Sequence, residues 1–135
     1  MTDQLAPADL IRKHFVTKVK GDKEELRKEI APDVTWWAPA SAAAKGIVEN
    51  PMVGAERAIN HLTVEMYEEE GREWTITHLL SQGDLVAVRA RLQARVAKNG
   101  KDYNNMYLFL FRVTEGRIAE AWVEFDTAYA FERFA

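Results

Sequence analysis

Three alternating runs fill the second half of the chain, Asp84 to Val96, Asp102 to Val113 and Arg117 to Ala128, and the turns between them fix which side chains share a face. Asn99-Gly100 separates the first two and Glu115-Gly116 the last two, and a short glycine turn between period-two runs is the strongest local hairpin signal. Read as two-residue loops, these turns pair Lys98 with Lys101 and Thr114 with Arg117. Asn105 then lies opposite Ala94 on one side and Asp126 on the other. Because side chains alternate, Val86, Val88, Ala90, Leu92, Ala94 and Val96 share a face with Tyr103, Asn105, Tyr107, Phe109, Phe111 and Val113. Ile118, Glu120, Trp122, Glu124 and Asp126 join them from the third run. That face is apolar and aromatic with acids toward one end, and the small Ala90 and Ala94 leave room for a cavity. A single bulge would send half of these residues to the other side.

The first half reads as helical. Pro7 suits a helix start, Leu10, Ile11, Phe15 and Val19 recur at helical spacing, and Gly21 is a stop. Asp22 with Glu25 has capping-box spacing before Leu26 and Ile30. A short strand, Asp33 to Trp37, closes at Pro39, and the stretch Ala40 to Val53 reads as a long loop. A third helix from about Ala55 to Glu70 turns Ala58, Ile59, Leu62 and Met66 inward. With 135 residues the chain suffices for one domain spanning 1–135, and it contains no cysteine, which excludes disulfides and thiolate sites. The net charge of −3 is interspersed and holds no basic block, so no nucleic-acid partner is expected. No apolar run approaches a membrane span and Met1 to Gln4 lacks the start of a signal peptide, so the expectation is a soluble, cytoplasmic protein.

Helices followed by an antiparallel meander make an α+β domain with helices on one face of the sheet. The order of elements, with Asp33-Val34-Thr35-Trp36, Tyr103-Asn104-Asn105-Met106-Tyr107, Gly116-Arg117-Ile118-Ala119-Glu120 and Phe125-Asp126-Thr127, resembles the SnoaL-like, ketosteroid-isomerase-like branch of the NTF2-like superfamily over nearly the whole chain. The resemblance implies a cone, its helices closing over a strongly curved, mostly antiparallel sheet around an apolar pocket. It also implies isomerases, cyclases, dehydratases or epoxide hydrolases, alongside domains that only bind or dimerise, and a fold alone does not name the chemistry. Against the ketosteroid isomerase pattern, Ala38 stands where a catalytic Asp precedes a Pro, His14 falls near a Tyr, and Leu108 near a second Asp. Against the epoxide hydrolases, Ala90 and Leu92 replace an Arg and an Asp, and only Asp126 survives.

The remaining constellation is Asp126, Glu124, Asn105, Tyr103, Tyr107, His14, His78 and Trp36. Asp126 is the expected general base, its alternative being a cap on a terminal turn, Ala128 to Phe134. Asn105 is read as an oxyanion donor or as an orienting amide, or as an amide satisfying a strand end. Tyr103 and Tyr107 are proton donors or core rings. His14 lies beside the stripe of the first helix, as catalyst or core residue. His78 points away from the pocket with a Gln82-Gly83 turn and into it with one bulge, which the apolar set Trp74, Ile76 and Leu80 favours. His61 and Glu65 are four apart, a spacing that holds metals, but an exposed helix face or a local hydrogen bond is the reading preferred and no metal is assigned.

Two hypotheses follow. In one, a cofactor-independent enzyme moves a proton on an apolar, aromatic or polycyclic oxygenated molecule, as lyase, isomerase or cyclase, with Trp36, Tyr107, Phe109 and Trp122 lining its site. In the other, the domain binds a ligand without chemistry or dimerises. On the opposite face of the sheet Met106, Leu108 and Leu110 beside Ala121, Val123 and Phe125 form an apolar patch expected to bury itself in a homodimer.

Overall fold

The helix signals at the N-terminus act as their chemistry requires. In the computed structural model, which describes residues 4–63 and 66–135, α1 (Pro7–Lys20) carries Pro7 in its first turn and ends on Gly21 at φ 66°. That left-handed conformation is open to glycine, and the Gly21 N–H closes the helix on the Thr17 and Lys18 carbonyls. The Asp22 carboxylate accepts from the Glu25 N–H at 3.2 Å and caps α2 (Lys23–Glu29).

A six-stranded mixed sheet follows, with β1 (Ile30–Trp37), β2 (Met52–Val53), β3 (Glu73–Gln82), β4 (Leu85–Arg95), β5 (Asp102–Thr114) and β6 (Arg117–Phe125) in the order β2-β1-β6-β5-β4-β3. β1 runs parallel to β6 and the other neighbours are antiparallel. α3 (Ala40–Ala44) and β2 occupy half of the stretch expected as a long loop. α4 (Ala55–Thr63) is shorter than expected, and α5 (Thr127–Phe134) is the terminal turn. Met66 therefore lies beyond α4: its carbonyl accepts from the Ala97 N–H at 3.0 Å, and Tyr67 bridges Val96.

The β4–β5 hairpin has a four-residue loop in place of two. Val96 N–H meets the Lys101 carbonyl, Ala94 pairs with Tyr103, and Asn105 pairs with Leu92. Lengthening by two keeps parity, so the inward sets of β4 and β5 are those the alternation gives. In the β5–β6 turn Glu115 and Gly116 both have positive φ, 52° and 76°, the geometry a two-residue hairpin favours. Thr114 pairs with Arg117 and Val113 with Ile118, but Arg112 pairs with Glu120. Ala119 is thus an extra residue, a bulge that inverts the rest of β6. Ala121, Val123 and Phe125 face inward, while Glu120, Trp122 and Glu124 face out.

A second bulge in β3, between Ile76 and His78, splits the set Trp74, Ile76, His78 and Leu80. Trp74 and Ile76 pack on the core, Leu79 takes the next inward place, and His78 and Leu80 turn outward. The core forms between the inner face of the sheet and α1, with Phe15 edge-on to Phe109 at 5.2 Å. Burying a side chain such as the fully covered Ile11 contributes about 1.5–3 kcal/mol.

Candidate active site

The inward residues of β5 and β6 leave an apolar pocket of about 120 Å³ between the sheet and the helices. Cavities of ~150 Å³ admit a single benzene ring, so the space suits one ring more closely than several. Trp36 of β1, Phe109 of β5 and Val123 and Phe125 of β6 form its floor, and Phe134 of α5 closes one side. Trp74 and Tyr107 meet edge to face with centroids 5.0 Å apart. Ile47 and Val48, from the stretch between α3 and β2, reach the same space.

One end of the pocket is phenolic. The Tyr107 and Tyr103 hydroxyl oxygens are 2.8 Å apart, and the Asn105 amide donates to the Tyr103 oxygen at 2.8 Å. The other N–H of that amide donates to the Asp126 backbone carbonyl at 3.1 Å, tying β5 to the start of α5. The Tyr107 hydroxyl also hydrogen-bonds with Tyr67, which lines the same pocket, so the three phenols form one cluster fed by the Asn105 amide. Burial pushes the Tyr107 hydroxyl well above its ordinary pKa, the adjoining Tyr67 and Tyr103 push it further, and Tyr103 and Tyr67 are raised by burial as well. All three stay protonated and act as donors.

The pocket also carries basic groups, flanking the same Trp74 ring that Tyr107 meets. Lys18, one helical turn after His14, lines the pocket with its Nζ 4.0, 4.2 and 4.3 Å from the ring centroids of Phe15, Trp74 and Phe109. Burial pulls its pKa well below that of an ordinary lysine. His61 lines the same pocket, and its pKa is lowered first by burial and then by Lys18. Lys18 was not among the residues the sequence singled out. The signal is present, since Ile11, His14, Phe15 and Lys18 continue a single 3–4 stripe, but a lysine in that stripe reads as its solvated end and Val19 as the next apolar position.

The structure gathers Trp36, Tyr103, Asn105, Tyr107 and Phe109 on the inner face, as the alternation requires. Asn105 spends both amide protons on its neighbours and positions the tyrosines without entering the pocket. His14 is fully buried behind the pocket wall, among Phe15, Trp36 and Phe111. Its Nδ1 pairs with Glu29 at 3.0 Å, and its Nε2 has no partner among the described residues. Burial lowers its pKa, so it is a neutral core residue and not a pocket catalyst.

Four expectations are corrected. Asp126 is exposed and its carboxylate accepts the Tyr129 N–H at 3.0 Å, so it caps α5 and does not enter the pocket. Glu124 is exposed on the outer face beside Leu108. Trp122 stacks there on Trp37 with centroids 5.1 Å apart. His78 is exposed beside Arg89, its ring 3.0 Å from the Thr77 hydroxyl. The Ala119 bulge moves the β6 residues, whereas the β3 bulge lies beyond His78 from the turn, leaving His78 outward and bringing Ile76 and Trp74 in. Glu65, considered with His61 for a metal, lies outside the described residues.

With fold and site in hand, the chain belongs to the SnoaL-like domain family, whose pattern matches residues 11–121. Among solved structures it resembles IdmH, a proposed polyketide cyclase from Streptomyces antibioticus, at 26% identity and a TM-score of 0.78, over 96% of this chain and 98% of that one. A proposed SnoaL-like polyketide cyclase from Jannaschia sp. CCS1 aligns over 99% of this chain and 97% of its own, with 17% identity and a TM-score of 0.81. TerC, co-crystallised with polyporic acid, has 18% identity and a TM-score of 0.80 over 96% and 98% of the two chains. The last two likenesses speak for the fold alone. Among curated proteins none matches this chain.

Proposed function

We propose that the chain is a cytoplasmic small-molecule cyclase or isomerase, which moves a proton on a ring-bearing, oxygenated compound in the pocket of Trp36, Tyr107 and Phe109 without a cofactor. The observation that carries this reading is the Tyr107 hydroxyl, held by Tyr103 and Asn105 at the wall of an otherwise apolar pocket. A phenol kept protonated in such a place donates to a carbonyl oxygen as it gains charge and strengthens that bond in the transition state. IdmH, similar along the whole chain, points to oxygenated polyketide-like rings as the substrate class to try first. The test is turnover against a panel of cyclic β-dicarbonyl and phenolic compounds. Tyr107→Phe is expected to lower kcat about 100-fold or more while leaving ring binding in place. Unchanged kcat in that variant would remove the tyrosine from the chemistry.

One observation favours a non-catalytic, ligand-binding reading. No carboxylate is among the described residues that line the pocket, and the acid expected as base is a helix cap. Saturable binding without turnover of any member of the panel would decide for it.

We further propose that the chain pairs with a second copy through the outer face of the sheet. Trp37, Trp122, Leu110, Ala87 and Leu80 form a continuous row across five strands, with Leu80 75% and Leu110 37% exposed. The inversion of β6 replaces Ala121, Val123 and Phe125 in this surface with the stacked Trp37–Trp122 pair.

A further inference from the structure

The pocket reading leaves its basic groups without a role, and Lys18 is the strangest of them. Its ammonium form would be a buried cation, and among the described residues no acid is paired with it. The buried acid of this wall, Glu29, is already occupied, accepting from Lys13 at 2.8 Å, His14 at 3.0 Å and Thr17 at 2.6 Å. The other groups that bear on Lys18 are His14 and Lys13 on its own helix, His61 on α4, Arg72 before β3 and Tyr107 on β5, and none carries negative charge. Arg72 lines the same pocket, donating from one amino group to the Val19 carbonyl at 2.8 Å, with its Nε unpartnered among the described residues; as a guanidinium it cannot accept a proton.

We propose that Lys18 is the proton acceptor of the pocket, its ε-amine taking the proton of an enol or phenol hydroxyl whose oxygen rests against Tyr107. The ligand O–H bond breaks and its electron pair stays on oxygen. An N–H bond forms on Lys18, and the products are an enolate or phenolate and an ammonium side by side. The cage suits both states: apolar rings disfavour a free ammonium, yet once the ligand supplies the counter-charge, three ring faces within 4.3 Å stabilise the cation that has formed. The lowered pKa of Lys18 agrees with that geometry. The ligand class is therefore a weakly acidic, single-ring enol or phenol, and the ionised form is the carbon nucleophile that cyclisation needs. This inference rests on the pocket reading above and adds the base which that reading lacks.

The test uses 4-nitrophenol, whose phenolate absorbs at longer wavelength than the phenol, and 4-nitrotoluene, which has the ring without the hydroxyl. At a pH below the free phenol's pKa, wild-type protein is expected to bind 4-nitrophenol as the phenolate, lowering its apparent pKa by about one unit or more. Lys18→Met, which keeps an apolar stem, is expected to bind the probe in its protonated form. Binding of 4-nitrotoluene, read by quenching of tryptophan fluorescence, reports the pocket independently. If 4-nitrotoluene binds and 4-nitrophenol stays protonated, or ionises equally in Lys18→Met, Lys18 is not the acceptor and the pocket stands. If neither probe binds, pocket and acceptor both fall. Should Lys18→Met not fold, reductive 13C-methylation of the wild type reads the amine directly: a resonance titrating well below the bulk lysines and shifting with probe supports the proposal, and titration with the bulk overturns it.

Discussion

Asp126 and Lys18 exchange the roles their sequence contexts suggest, and each makes a measurable prediction. As a cap, Asp126 satisfies one orphan N–H of α5, so Asp126→Ala should cost about 1 kcal/mol in denaturant unfolding while Asp126→Asn changes stability by only a few tenths. Neither substitution should alter ring binding. For Lys18 the folded pKa lies below the unfolded value of 10.5. Between the two the unfolded chain holds a proton that the folded one lacks, so stability rises with pH in that window and levels off above 10.5. The slope is at most about 1.4 kcal/mol per pH unit for one proton. Denaturation of wild type and Lys18→Met from pH 8 to 10 should show the wild type gaining relative to the variant. Equal slopes would mean an ordinary ammonium. The window stops at 10 because Tyr67, Tyr103 and Tyr107 are raised and resist ionisation in the fold, which reverses the trend at higher pH.

At the scale of elements, α1 and α2 are clasped by one buried carboxylate. Glu29 is 1% exposed, and although burial alone would raise its pKa, hydrogen bonds from His14, Lys13 and Thr17 outweigh that and hold it below the ordinary value. Removing one partner from a buried charged cluster is costly, so Glu29→Ala should destabilise by about 3 kcal/mol in urea titration. Because the Glu29 pKa is depressed on folding, its contribution is present above pH 4.5 and is lost as pH falls through the folded value. The clasp should therefore loosen under acid, and Glu29→Ala should flatten that part of the stability curve. The β6 bulge is the other decisive local feature. Deleting Ala119 would remove the extra residue and leave Ile118 and Glu120 as successive partners of Val113 and Arg112, so Ala121, Val123 and Phe125 keep their inward places. A cooperative thermal transition is expected to survive, and its loss would show that the bulge itself is needed.

The whole molecule presents two faces of different chemistry on one sheet, an enclosed pocket inside and an apolar row outside. Beside that row Arg89 and Arg91 of β4 lie level with Leu108 and Met106, and Glu124 of β6 lies level with Leu108 across β5. A two-fold axis along β5 would set the basic strand of one copy over the acidic strand of the other, so charge favours that axis over one that stacks like on like. Trp122→Glu combined with Leu110→Glu should shift sedimentation from dimer to monomer and leave 4-nitrotoluene binding intact. A wild type that sediments as a monomer at high concentration would remove the outer face from consideration. Among the described residues no helix is long and apolar enough to cross a membrane.

The alternation of Val86 to Val96 and of Tyr103 to Val113 determined the inner face without help, because one apolar set in each strand must leave water and period two admits only one way to do it. The extra length of the Ala97 to Gly100 loop left that outcome intact because it added an even number of residues. The helix caps at Asp22 and Gly21 were likewise local chemistry, readable within a few residues. Ala119 was not. In β6 either side of the alternation offers burial, Ala121, Val123 and Phe125 against Trp122 with its neighbours, and a one-residue bulge chooses between them only when β5 and β1 are both in place. Asp126 depended on that choice and on α5, and Lys18 on the arrival of Trp74 and Phe109 from far along the chain. A charge becomes a buried amine or a solvated cap according to what packs around it, and that is a property of contacts between distant segments.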